Sequence, residues 1–342
     1  LRNTSTVGNL SFAPKITLTS NQGPINVAPA DVDGDGKLDL VVANFQSGNG
    51  TTVSIFRNTS TSGNLSFAPK VDVTTNLGPY GIALGDVDGD GKLDLAVGNF
   101  GVQTSGNGKT VSVFRNTSTG GAISFAAKVD FTTDAGPRQV AINDFDGDGK
   151  PELAVSNFGK GGTGTTVSVF RNTSTVGNVA FAPKLNLTTG NGPLDVLSGD
   201  FDGDGKLDLA VINFGISYPI TPAVLGTTLS VFGNTSTLGN VSFAPKVDFT
   251  TVSGPHGLAV GDIDQNNKPD LVTANAAEGS GVNLSVFQNI SGQPFNTPTF
   301  TPTPLNTPVQ PTSTPAPATS TPTGSGLITL GETNILGDDS GN

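Results

Sequence analysis

The chain of 342 residues has no cysteine, no methionine, no tryptophan and a single histidine. Without cysteine there is no disulfide framework, no thiolate metal site and no thiol nucleophile. One histidine rules out a zinc site built on a histidine pair and leaves only His256 for imidazole-based catalysis. No apolar run approaches the ~20 residues that a membrane-spanning helix requires. Charged residues are sparse at 13%, and they lean acidic to a formal charge of −11. That balance disfavours nucleic acid and anionic membrane as partners. Helix formers dominate no window; Val, Ile, Phe and Thr alternate with polar residues, which favours strands. The chain opens on Leu1, so either a leader has been removed or the chain is part of a longer one.

What the sequence does have is repetition. "DVDGDGKLDL" from Asp31 returns as "DVDGDGKLDL" from Asp86, "DFDGDGKPEL" from Asp144, "DFDGDGKLDL" from Asp200 and "DIDQNNKPDL" from Asp262, at intervals of 55, 58, 56 and 62 residues. Gly-Pro and a short apolar run precede each copy. An apolar run, a Gly-rich loop, a "TVSVFRN"-like run, an "NTST" turn and a "SFAPKVDFTT"-like run follow. Each unit reads as four strands, predicted in the third at 139–143, 153–157, 166–170 and 179–187. Four-stranded units that cannot bury their own faces predict an all-β propeller over residues 1–293. Five blades are expected. The chain begins with a fourth strand and its last unit lacks one, so the N-terminal strand is expected to close the ring.

The acidic phrase has the form D-x-D-G-D-G-x-x-D. Carboxylates at positions one, three and five converge in a tight turn, position seven offers a backbone carbonyl, and the ninth residue closes the far side. Oxygen donors of this kind suit Ca²⁺. Nineteen of the 28 acidic residues lie in these loops, and five Ca²⁺ would nearly cancel the net charge of −11. The expected ligands are Asp31, Asp33, Asp35, Lys37 and Asp39; Asp86, Asp88, Asp90, Lys92 and Asp94; Asp144, Asp146, Asp148, Lys150 and Glu152. The fourth and fifth sets are Asp200, Asp202, Asp204, Lys206 and Asp208, and Asp262, Asp264, Asn266, Lys268 and Asp270. The lysines enter only through their carbonyls. In the fifth loop Gln265 and Asn267 replace both glycines and Asn266 replaces an aspartate, so its binding is expected to be weakest.

The unit "GDFDGDGKLDLAVINFG" resembles the FG-GAP/VCBS repeat of integrin-alpha-like propellers and secreted bacterial proteins. The resemblance covers roughly Leu1 to Gln293. It implies a calcium-binding propeller in an extracellular or cell-surface protein, with Ca²⁺ held by Asp31, Asp33, Asp35, Asp39 and the matching positions of later loops.

Differences between the units gather on the rim opposite the acidic loops. Tyr80, Arg138, Tyr218 and His256 fall there, a cluster suited to a sugar or peptide ligand. Catalysis has little support, because a repeat offers no single asymmetric site. Residues 294–326 form a Thr/Pro-rich spacer able to carry O-linked sugars, and twelve N-x-S/T sequons lie in the repeats. Residues 327–342 are apolar again, and 327–330 read as a strand able to add to another copy. The resulting expectation is a structural or adhesive glycoprotein, joined to other copies through its tail into a surface assembly or filament. The alternatives are a monomeric module that binds a glycan or surface protein and, less favoured, a polysaccharide-active enzyme.

Overall fold

The computed structural model describes residues 1–217, 223–276 and 283–291. Each repeat unit forms one antiparallel sheet. Blade one holds β1 (Pro24–Ala30), β2 (Asp39–Asn44), β3 (Thr52–Phe56) and β4 (Val71–Thr74). Blade two holds β5 (Pro79–Gly85), β6 (Asp94–Asn99), β7 (Thr110–Phe114) and β8 (Val129–Thr132). Blade three holds β9 (Pro137–Asn143), β10 (Glu152–Asn157), β11 (Thr166–Phe170) and β12 (Leu185–Thr188). Blade four holds β13 (Pro193–Gly199), β14 (Asp208–Ile216), β15 (Val224–Phe232) and β16 (Val247–Thr250). Blade five holds β17 (Pro255–Gly261), β18 (Asp270–Asn275) and β19 (Asn283–Phe287). The first strands of successive blades contact one another, β1 on β5, β5 on β9, β9 on β13 and β13 on β17. They therefore line the axis of a β-propeller.

The second and third strands are apolar on both faces because a blade lies on either side of them. Val41, Val53 and Ile55 of blade one pack on Ile82, Leu95 and Val97 of blade two, and the next two junctions repeat this with Val, Leu and Phe. Each such side chain contributes about 1.5–3 kcal/mol on burial. Near the axis Phe45, Phe100, Phe158 and Phe214, each just after a second strand or at its end, stand 6.0–6.2 Å apart in succession.

Two expectations are corrected. The fourth strand of blade three runs from Leu185, not from Val179, because Pro183 has no amide hydrogen for the ladder. Upstream of it, Phe181 bridges Asn172 in a small hairpin that recurs at Asn3–Phe12, Asn58–Phe67, Asn116–Phe125 and Asn234–Phe243. The fifth sheet has three strands, β17, β18 and β19, among the described residues. Residues 1–15, expected to supply its fourth strand, form only isolated bridges with one another and do not join this sheet. In the other blades an adjacent turn delivers the fourth strand. Here the partner lies far away along the chain, and no local turn sets the register. The spacer (294–326), the tail strand (327–330) and Tyr218 lie outside the described residues.

Candidate metal centres

Every acidic loop joins a first strand to a second and is folded around its own carboxylates. In loop one, Asp31 Oδ1 accepts from the amides of Gly34 (2.9 Å) and Asp35 (3.1 Å), and Oδ2 from Gly36 (2.8 Å). Gly34 and Gly36 have φ of +76° and +83°. That left-handed backbone turns successive amides toward one carboxylate, and a side chain there would be strained. Asp39, fully buried at the start of β2, accepts from the amides of Val32 (3.0 Å) and Asn58 (2.7 Å). One carboxylate thus ties the loop to the exit of β3.

The same bonds recur around the molecule. Asp94 accepts from Val87 and Asn116, Glu152 from Phe145 and Asn172, Asp208 from Phe201 and Asn234, and Asp270 from Ile263 and Asn289. In loop five Gln265 and Asn267 keep the positive φ of the glycines they replace, both at 62°. The fold imposes the turn even where the sequence abandons glycine.

These ties bring three carboxylate oxygens within 4.8 Å of one another in each loop. The groups are Asp31, Asp33 and Asp39; Asp144, Asp146 and Glu152; Asp200, Asp202 and Asp208; Asp262, Asp264 and Asp270; and, in loop two, Asp86, Asp88 and Asp90. Positions one, three and nine therefore converge in four loops. At position five, Asp35, Asp148 and Asp204 accept from the amides of Lys37, Lys150 and Lys206, while Asn266 accepts from that of Lys268. In blades three and four the lysine amines turn away to the carbonyls of Ser174 and Ser236.

Burial shapes the electrostatics. Desolvation raises Glu152 to about 7 and Asp94 to about 6, against the hydrogen bonds that favour their charged forms. It also raises Asp39 and Asp208, with the loop's other carboxylates adding repulsion. Asp146 is raised by burial first and by Asp148 second. Its Oδ2 is buried and meets no donor in ordinary hydrogen-bond geometry, although the backbone amide of Gly239 faces the carboxylate and opposes the rise. A buried, poorly satisfied anionic oxygen, flanked by like charges in an all-oxygen cluster, fits a hard divalent cation.

The residue after the third strand adds a counter-charge that the motif did not reveal. Arg57 Nε donates to Asp33 Oδ2 at 2.6 Å, and Arg115 Nε lies 4.0 Å from Asp88 Oδ2. Gln288 donates to Asp264 at 2.5 Å in blade five, and blade four has Gly233 at this place. The signal was the basic residue of "VFRN", which recurs in only three units. A second undetected role belongs to the asparagine of "NTST". Asn116 Nδ2 donates to Leu93 O in its own blade and to Val32 O in the blade before. Asn172, Asn234 and Asn289 cross the next three junctions, to Val87, Phe145 and Phe201. These sequon asparagines hold blades together, so their amides are committed.

The rim residues proposed for a ligand are packed around the axis. Tyr80 is buried against Phe45, with centroids 5.1 Å apart, and its hydroxyl accepts from Arg138 at 2.5 Å. The Arg138 guanidinium lies over Tyr80 (4.5 Å) and Phe158 (5.0 Å). His256 stands edge-on to Phe214, and burial lowers it to about 4, so it is neutral at pH 7. Farther out on this rim is a groove of about 450 Å³ between blades two and three, lined by Asn107, Lys109, Asp134, Lys160, Thr163 and Thr166 among others.

The family match agrees with this architecture. The FG-GAP-like repeat matches residues 1–42, 31–97, 101–155 and 158–211, more than half of the chain. No curated protein matches in sequence. Among solved structures the chain is similar to the exotype rhamnogalacturonan lyase YesX, at 14% identity and a TM-score of 0.44, covering 79% of this chain and 48% of that one. It is also similar to the V. cholerae biofilm matrix protein Bap1, at 15% identity and 0.36, covering 74% and 34%. A Lactobacillus plantarum protein is similar at 16% and 0.38, covering 80% and 87%. The chain spans about half the length of the first and a third of the second.

Proposed function

Because the chain belongs to the FG-GAP-like repeat family, we propose that it is an extracellular propeller stabilised by calcium, whose work is structural or adhesive rather than catalytic. The observation that carries this reading is the same convergence of three carboxylate oxygens in every acidic loop. Ca²⁺ would be held by positions one, three and nine in four loops and by positions one, three and five in loop two, with the remaining acid position and the carbonyl of position seven completing the oxygen shell. The bound ion would supply the charge that lets those acids ionise inside the fold. Divalent calcium at millimolar levels is found outside cells, and sites on exposed loops suit that range. Among the described residues no helix is long and apolar enough to cross a membrane.

Calorimetric titration of the metal-stripped chain with CaCl₂ tests the reading. It expects binding at up to five sites, lost loop by loop in Asp31→Asn, Asp86→Asn and their counterparts. No heat and no change in melting temperature would end it. Assembly through the C-terminal segment is tested by ending the chain before Phe295: polymer should disappear while the propeller keeps its melting temperature.

A second reading, a module that binds a glycan or surface protein, is favoured by the groove between blades two and three, whose amines, amide and hydroxyls suit hydroxylated ligands. Lys109→Ala with Lys160→Ala should then abolish retention on a glycan surface without changing calcium binding. Retention unchanged by the pair would remove this reading.

A further inference from the structure

The groove between blades two and three departs from the repeat in three places at once. Every residue that lines it lies between positions 105 and 166, in the middle of the chain. The residue ahead of each third strand gives its carbonyl to the amide just past the fourth. It is Thr51, Thr165 and Thr227 in three blades and Lys109 in blade two. The residue whose carbonyl closes the short turn after the second strand is Gln46 in blade one and Lys160 in blade three. In both cases the fold uses the backbone alone, so packing asks for no amine. The third departure is an exchange. At the entries to blades one and two, Asn21 and Asn76 donate to Asp72 and Asp130 of the fourth strands. At the entry to blade three the strand carries the amide, and Asn186 donates to Asp134 at 2.8 Å. The hydrogen bond is kept, and the carboxylate moves into the groove wall.

Charge follows from these three changes. Asp134 is fixed in place, accepting from Thr166 Oγ1 at 2.7 Å and from Asn186, and Lys184 matches its charge. Its side chain is still 39% exposed, which leaves lone pairs free for a ligand. Lys109 and Lys160 are exposed, and among the described residues neither amine meets a carboxylate. The groove thus carries two unmatched positive charges in a chain of net charge −11. They stand on the rim away from the acidic loops, so no aspartate of those loops answers them.

We propose that this groove takes an acidic glycan, a chain of sugars bearing carboxylates or sulfates. The proposal rests on the second reading above, of the groove as a binding site, and narrows its ligand. Lys109 from blade two and Lys160 from blade three would meet the charged groups, while Asp134, Asn107 and Thr163 would meet hydroxyls. A volume of about 450 Å³ suits a short stretch of sugars rather than a lone ion. A neutral glycan would leave both amines without a counter-charge. An ammonium is a point charge without the fork of a guanidinium, so it accepts either kind of anionic group.

Affinity electrophoresis of the full chain in excess Ca²⁺ tests the proposal, in native gels that hold hyaluronan for carboxylates, dextran sulfate for sulfates, or uncharged dextran. Migration should be retarded in a charged gel and not in dextran. Retardation by hyaluronan means that carboxylates suffice; retardation by dextran sulfate alone means that the site selects sulfate. The effect should fade between about 0.02 and 0.2 M NaCl. Lys109→Ala and Lys160→Ala change exposed side chains and should fold with an unaltered circular dichroism spectrum. Each should weaken retardation about two- to fivefold, and the pair should abolish it. Arg2→Ala with Lys15→Ala removes the same charge elsewhere and should change nothing. Equal retardation in dextran, abolished by the lysine pair, would overturn the acidic ligand and keep the groove as a glycan site. Retardation that the pair leaves unchanged, or that the control pair weakens as much, would overturn the site altogether. So would free migration in all three gels.

Discussion

Glu152 shows most plainly what a buried acid does in this fold. Burial raises it to about 7, and Asp94 to about 6, so below those values each holds a proton that a metal must displace. Calcium affinity at loops two and three should therefore fall as pH drops from 7.5 to 5.5, approaching tenfold per unit below those values. Titration with a calcium-selective indicator at several pH values checks this, and a flat profile would contradict it. With the metal stripped the sign reverses. A raised carboxyl binds more protons folded than unfolded, so its contribution is fullest below the unfolded values of 3.8 and 4.5 and is lost as pH rises through 6 to 7. The metal-free chain should melt at a higher temperature at pH 5 than at pH 7.5, as far as these groups decide. Asn116 carries a different duty, joining the carbonyls of Val32 and Leu93 across a junction. Asn116→Ala leaves both oxygens short of a donor and should cost about 1–3 kcal/mol in urea denaturation. Asn9, exposed and outside any junction, should tolerate the same change. If the chain is expressed in a glycosylating host, mass spectrometry should find Asn116, Asn172 and Asn234 bare.

At the scale of the element, the loop dictates its own geometry. The left-handed glycines aim backbone amides at the first aspartate, and the ninth acid locks the loop to the third strand. Loop five keeps this backbone with Gln265 and Asn267 at positive φ, a conformation that costs a non-glycine residue about 1 kcal/mol or more. What it lacks is one carboxylate, since Asn266 stands where the others have aspartate. Asn266→Asp should tighten calcium at that site severalfold, seen as a fifth strong site in calorimetry; an unchanged isotherm would show that position five does not ligate. The loops were legible in the sequence because ligand chemistry demands particular residue types at fixed spacing. The second and third strands were legible from their apolar runs and Gly-rich connections. The fourth strand was placed too early because Val179 and Phe181 carry strand-like residues into a hairpin, and only Pro183 marks the restart. The junction asparagines were hidden because "NTST" reads locally as a turn, while its main partner belongs to another blade. Tyr80 and Arg138 read as exposed variation, yet the axis packs them against Phe45 and Phe158.

The whole molecule is a set of blades whose cohesion comes from apolar faces and whose acidic rim opposes it. Five clusters of like charge, partly offset by Arg57 and Arg115, sit on one side of a chain that is strongly acidic overall. That the N-terminal segment does not complete the fifth sheet, which has three strands among the described residues, could not be read from the sequence, because pairing between distant segments depends on how the blades meet rather than on any local turn. Ligand binding to the folded state alone stabilises it by about 2.7 kcal/mol per site at a hundredfold excess over Kd, so several occupied loops should move the unfolding transition by many degrees. The most direct measurement is the melting temperature of the intact chain at pH 7.5, first stripped of metal by a chelator and then restored with CaCl₂. A large fall on stripping, reversed by calcium and not by an equal ionic strength of NaCl, is the expected result. An identical melting temperature in both states would mean that the acidic loops stand without a metal, contradicting the account.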